Sequence, residues 1–128
     1  MHDLVRVLKR RINGFNRSIE EDEGLRNDLS ALKRPVKVQI FVPDRNFRAF
    51  CILSPQGIHG FEENLHHEGH DILLVGDHTT LLQLLEGRIP YDAAKGKLKL
   101  DLFLGEADRT LVRHTLTRFL ETPAPRGI

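Results

Sequence analysis

The residues best equipped for chemistry in this 128-residue chain lie between His59 and His78. Five of the seven histidines fall there: His59, His66, His67, His70 and His78. Glu62, Glu63 and Glu68 stand among them. Imidazole and carboxylate both ligate zinc and similar metals. A metal-binding histidine loop is therefore one reading. Against it, His66 and His67 are adjacent, and neither an HExxH run nor a CxxC pair is present. A metal site needs several ligands to converge on a rigid frame. The spacing favours a solvated acidic loop, with no metal and no cofactor.

Nucleophilic chemistry has less support. Cys51 is the single cysteine, so no internal disulfide can form. It stands in Phe50-Cys51-Ile52-Leu53, where a thiol serves as a small buried hydrophobe. Serines are few (Ser18, Ser30 and Ser54), and none lies in a nucleophile elbow. No glycine loop could cradle a phosphate. No catalytic residue is identified, and a non-enzymatic protein is expected.

Charge is divided unevenly. From Ala49 to Gly87 there are six acids and no Lys or Arg, while the rest of the chain carries a net +7 against a total of +1. A near-neutral total without interleaved aromatic and basic residues argues against nucleic-acid binding. No apolar run is long enough to span a membrane, and no signal peptide is present. With Arg126-Gly127-Ile128 at the C-terminus in place of a peroxisomal tripeptide, a reduced, cytoplasmic protein is expected.

The elements that must position these residues can be read from periodicity. Asp3 to Glu20 forms an amphipathic helix with Leu4, Leu8, Ile12, Phe15 and Ile19 in one stripe, flanked by Val5 and Arg11. Arg6, Lys9, Arg10 and Arg17 lie mostly off the stripe. Packing on its own domain is the favoured role for this helix, with weak contact to an anionic membrane surface as the alternative. Asp22 caps a second helix that runs to about Leu32 and stops at Pro35. Val36 to Val42, Phe47 to Leu53 and Ile58 to Phe61 read as strands joined by two tight turns, an antiparallel meander. Asp71 to Val75 is a fourth strand.

Asp77 then caps a leucine-rich helix that Gly87 ends. Pro90 opens a short helix. From Lys97 the period changes to two, with Leu98, Leu100, Leu102 and Leu104 on one strand face and Phe103 on the other. Glu106 to Glu121 is the last helix, with Leu111, Val112, Leu116, Phe119 and Leu120 as its apolar stripe. One domain over residues 1–121 and a disordered tail over 122–128 are expected.

Two runs carry a resemblance: Leu81-Leu82-Gln83-Leu84-Leu85-Glu86-Gly87, and Ala93-Ala94-Lys95-Gly96-Lys97-Leu98-Lys99-Leu100. A leucine-rich helix ending at glycine, a short helix and a strand opening Gly-Lys-Leu-Lys together resemble the late part of the sterol carrier protein type 2 (SCP2-like) family. The likeness extends from about Leu4 to Leu120. It departs after residue 100, where a longer strand meets a more charged helix than the family pattern has.

The resemblance implies an α+β fold: a five-stranded, mostly antiparallel sheet covered by helices, with amphipathic helices at both ends. It further implies a hydrophobic tunnel for a fatty acid, acyl-CoA, sterol or other lipid, closed by the C-terminal helix. Leu116, Phe119 and Leu120 are expected to form one wall, Ile40, Phe50 and Leu73 the opposite one, and Leu82 and Leu85 to contribute from the leucine-rich helix. The partner is then an apolar small molecule, with a homodimer also open. The alternative is an accessory or interaction subunit with a solid core, serving a lipid-handling or acyl-transfer system.

Overall fold

A computed structural model describes residues 2–64 and 69–121 of the chain. Its elements run α1 (His2–Glu21), α2 (Glu23–Ser30), β1 (Val36–Val42), β2 (Phe47–Ser54), β3 (Gly57–Glu63), β4 (Ile72–Val75), α3 (His78–Leu85), α4 (Tyr91–Ala94), β5 (Lys99–Leu102) and α5 (Glu106–Glu121). The fold is α+β.

The five strands form one sheet in the order β3-β2-β1-β4-β5. The β1–β2, β2–β3 and β4–β5 pairs are antiparallel, and β1–β4 alone is parallel. The two tight turns give the expected meander of β1, β2 and β3. β4 lies on the far side of β1 from β2 and runs parallel to β1. His66, His67 and Glu68 lie outside the described residues, as does the tail 122–128.

Side-chain alternation decides what each strand gives to the core. Val36, Val38, Ile40 and Val42 of β1 and Phe47, Ala49, Cys51 and Leu53 of β2 share one buried face. Ile58, Ile72 and Leu74 continue it. The apolar stripes of α1 and α5 pack on this face, and that of α3 packs against both helices. Leu4, Leu8, Ile12, Phe15 and Ile19 of α1 are all buried, so the stripe closes the protein's own core.

The helix ends follow the expected chemistry. Asp22 accepts a hydrogen bond from the Leu25 amide at 3.0 Å, and Asp77 one from Thr80 at 2.9 Å. Gly87 takes φ 76° just past α3, the left-handed stop that its type permits.

The strand after Lys97 differs from expectation. Hydrogen bonding confines β5 to four residues, and Leu98, Leu100, Leu102 and Leu104 are half-buried. The reason is position. This strand lies at the sheet edge, paired only with β4, so no neighbour covers its outer side. Phe103 is 58% exposed, as its place on the polar face predicts, and its ring stands edge-on to His70 at 5.7 Å.

Candidate functional site

The apolar interior lies between the sheet, α1 and α5. Three strands supply Val38 and Ile40, Cys51 and Leu53, and Ile72 and Leu74; Ile58 and Leu100 complete the sheet side. Leu8 and Ile12 enter from α1, and Leu116, Phe119 and Leu120 from α5. The edge of the Phe119 ring meets Phe15 at 5.6 Å, locking α5 against α1. These side chains leave a cavity of about 30 Å³, above the roughly 10–15 Å³ that a single water needs.

Ile40, Leu116, Phe119 and Leu120 therefore meet around one space. The other four expected contacts do not line it. Phe50 and Leu73 lie on the opposite face of the sheet. They flank Gln39 in register, one on β2 and the other on β4, and this row occupies the sheet face away from the helices. Arg48 shares that parity on β2, as Asp71 does just before β4, and a charge is the signal that marks the face away from the helices. Leu82 is half-buried, while Leu85 is buried elsewhere in the core. The stripe of α3 packs against α1 and α5, clear of the cavity.

Sequence reasoning missed Leu8, Ile12, Val38, Cys51, Leu53, Ile58, Ile72, Leu74 and Leu100 as lining residues. Strand parity could have found most of them. On β1 the alternatives are Val-Val-Ile-Val against Lys-Gln-Phe, and only the first can face a core.

Cys51 sits in the cavity wall, and burial pushes its thiol up to about 12. A thiol so far from ionisation is a poor nucleophile at neutral pH. The described histidines do not assemble either. His59 is on β3, His70 packs on Phe103, and His78 opens α3 with its backbone amide on the Asp44 carboxylate. No group of three or more His, Cys, Asp or Glu side chains among the described residues could hold a metal. Among those residues, no helix is long and apolar enough to cross a membrane.

The closing helix α5 is fastened by polar contacts as well as by its stripe. Arg118 hydrogen-bonds the Asp22 carboxylate, and His114 Nε2 lies 3.7 Å from Asp28. Asp22 is held below the usual carboxylate pKa by the Leu25 amide first and by Arg118 second. The same carboxylate thus caps α2 and tethers α5.

A mixed five-stranded sheet with order β3-β2-β1-β4-β5, and one face sealed by terminal amphipathic helices, is the fold of sterol carrier protein 2. The chain is similar to a crystal structure of sterol carrier protein 2, with a TM-score of 0.56 and 16% identity over 86% of this chain and 90% of that one. It is similar to palmitated SCP2L2 from Aedes aegypti, with a TM-score of 0.51 and 10% identity over 92% and 97% of the two chains. A third similar structure is a double mutant of a sec-alkyl sulfatase, with a TM-score of 0.53 and 15% identity, where 77% of this chain covers only 15% of the larger one. No protein-family model and no curated protein sequence matches the chain.

Proposed function

We propose that this protein is a non-enzymatic, cytoplasmic binding domain over residues 1–121 that carries an apolar ligand in its interior: a fatty acid, acyl-CoA, sterol or other lipid. One observation carries the reading. Every side chain around the interior cavity is apolar, and the lining is contributed jointly by the sheet and by the terminal helices. The fold shared with sterol carrier protein 2 and palmitated SCP2L2 supports it.

The cavity volume sets the mechanism. About 30 Å³ is a tenth of the smallest usual ligand pocket, roughly 300 Å³. Uptake therefore requires α5 to move away from α1 and the sheet, opening a tunnel that is closed in the free protein. A C16 chain gains on the order of 0.8 kcal/mol per methylene, or roughly 13 kcal/mol gross. The work of opening and the lost freedom of both partners offset much of that. Micromolar affinity is the expected outcome. Leu116, Phe119, Leu120 and Ile40 then contact the ligand. Any membrane-surface contact during loading falls to the exposed Arg6, Lys9, Arg10 and Arg17 of α1, since the apolar stripe is buried.

A second reading is an accessory domain or subunit with a solid core, alone or as a homodimer. The closeness of the packing favours it, as does the occurrence of a similar fold as a small part of a sec-alkyl sulfatase. Native mass spectrometry of freshly purified protein separates the two. A co-purifying lipid mass supports the carrier; apo protein alone, unchanged after incubation with palmitate, oleoyl-CoA and cholesterol, supports the accessory domain.

A further inference from the structure

Arg11 is the most deeply buried charged residue among those described, with 2% of its surface exposed. It lies on α1 at the margin of the apolar stripe. Its Nη2 donates to the Leu120 carbonyl at 2.8 Å and to the Leu84 carbonyl at 3.4 Å. Those carbonyls belong to the last turns of α5 and α3, so the negative ends of two helices converge on one guanidinium. That convergence explains how the charge is tolerated, but it leaves the hydrogen bonding incomplete. Nε and Nη1 are buried and have no acceptor. They carry three N–H donors between them. Among the described residues, no carboxylate forms an ion pair with Arg11.

The same side chain forms part of the wall of an open pocket of about 450 Å³ at the connection between α3 and α4. This volume is within the range of small-molecule sites. Arg88 and Tyr91 line it beside the apolar surfaces of Ile89 and Leu120. Arg88 is largely exposed and lies 3.7 Å from Glu86, a long contact that a ligand can displace. Asp92 is the acid in the lining, and it points to solvent beside Lys95.

We infer that this pocket binds a small molecule bearing an oxyanion, a carboxylate or a phosphate, held by Arg11 and Arg88 with its organic part against Tyr91 and Ile89. A guanidinium with free N–H groups offers the fork that such oxyanions take in bidentate fashion. The outer torsions of Arg11 turn toward the pocket on binding, giving up the longer contact to Leu84. The pocket shares only Leu120 with the apolar interior. The inference goes beyond the carrier reading and stands whether or not the interior opens.

The test follows the Arg11 Nε–H resonance of ¹⁵N-labelled protein during titration with sodium phosphate and, separately, sodium octanoate. A saturable shift is expected with at least one probe. Phosphate alone marks a phosphate ligand, and octanoate alone a carboxylate with an apolar body; either supports the site. Arg88→Ala is expected to weaken binding about two- to fivefold, the size of one exposed charge contact. Arg11→Met should abolish the response of the neighbouring Tyr91 and Ile89 amides. If that variant fails to fold, the wild-type resonance and Arg88→Ala decide the question. Leu116→Trp, which fills the interior, should leave this site intact and so separates it from lipid uptake. Absence of saturation with both probes, or an unchanged titration in Arg88→Ala and Arg11→Met, reduces Arg11 to a hydrated cap on two helix ends and overturns the inference.

Discussion

The Arg34 guanidinium grips the Asp71 carboxylate through two parallel hydrogen bonds of 2.9 Å each. The same carboxylate accepts the Lys37 amide at 3.0 Å, while the Asp71 amide donates to the Lys37 carbonyl at 2.9 Å. The Asp71 carbonyl accepts the Phe103 amide at 2.8 Å. One residue thereby fixes the start of the parallel β1–β4 pair and the end of β5. A parallel pair lacks a tight turn to set its register, and this clamp replaces one.

Asp71→Asn should cost about 1–3 kcal/mol in urea denaturation, because the buried position of residue 71 then matches the Lys37 amide and the Arg34 guanidinium poorly. The pH dependence follows from the same contacts. Burial raises the Asp71 pKa, but the hydrogen bonds from Arg34 and Lys37 outweigh it and hold the group below its ordinary 3.8. The stabilisation is complete above the unfolded-state value and is lost as pH falls through the folded-state value. The wild-type melting temperature should therefore fall between about pH 5 and pH 2, and Asp71→Asn should fall less. Parallel curves for the two proteins would contradict this.

Gly57 should not tolerate a side chain. Its φ is 118°, and an added Cβ would lie 2.2 Å from Asn16 Oδ1. That Asn16 amide donates to the Ile58 carbonyl and accepts from the Ile58 amide, both at 2.8 Å, joining α1 to β3. Gly57→Ala forces both a strained backbone and loss of this pair, for about 2–4 kcal/mol. Asn16→Ala alone should cost about 1–3 kcal/mol. Denaturant midpoints for both variants check the order, and a neutral Gly57→Ala would contradict it.

Most of the scaffold was legible because its signals are local. Asp22, Asp77 and Gly87 cap helices where their types predict, and the β1 alternation admits one inward face. Less was legible where the decision was not local. On β2 and β4 both faces are apolar enough to be buried, so which face Phe50 and Leu73 take is read only when Arg48 and Asp71 are used to set parity. The four-residue β5 reflects its edge position, which a single strand pattern does not encode. Arg11 reads as a flanking charge, and only the convergence of the α3 and α5 ends explains its burial.

Cys51 reports on opening of the interior. Its thiol lines the cavity, and with a pKa near 12 the thiolate fraction at pH 8 is on the order of 1 in 10,000. Reaction with a disulfide reagent should be slow in native protein and fast in urea. Oleate should slow it further if a ligand occupies the space beside the sulfur. Rapid native labelling, unaffected by oleate, would contradict an apolar interior closed by α5.

Leu116 tests the packing. Leu116→Trp should overpack the 30 Å³ cavity, cost about 1–3 kcal/mol and eliminate lipid binding. Leu116→Ala should cost about 2–5 kcal/mol but retain binding in the enlarged space. Thermal melts with and without oleate read both effects. A Trp variant that still binds lipid would place the ligand elsewhere.

The most direct measurement is a fluorescence titration of the wild-type protein with cis-parinaric acid, followed by displacement with palmitate. The account predicts saturable one-to-one binding with a dissociation constant on the order of micromolar, competed by palmitate and lost in Leu116→Trp. A protein that shows no saturable binding, while remaining folded and monodisperse, would contradict the carrier function and leave a solid-core accessory domain.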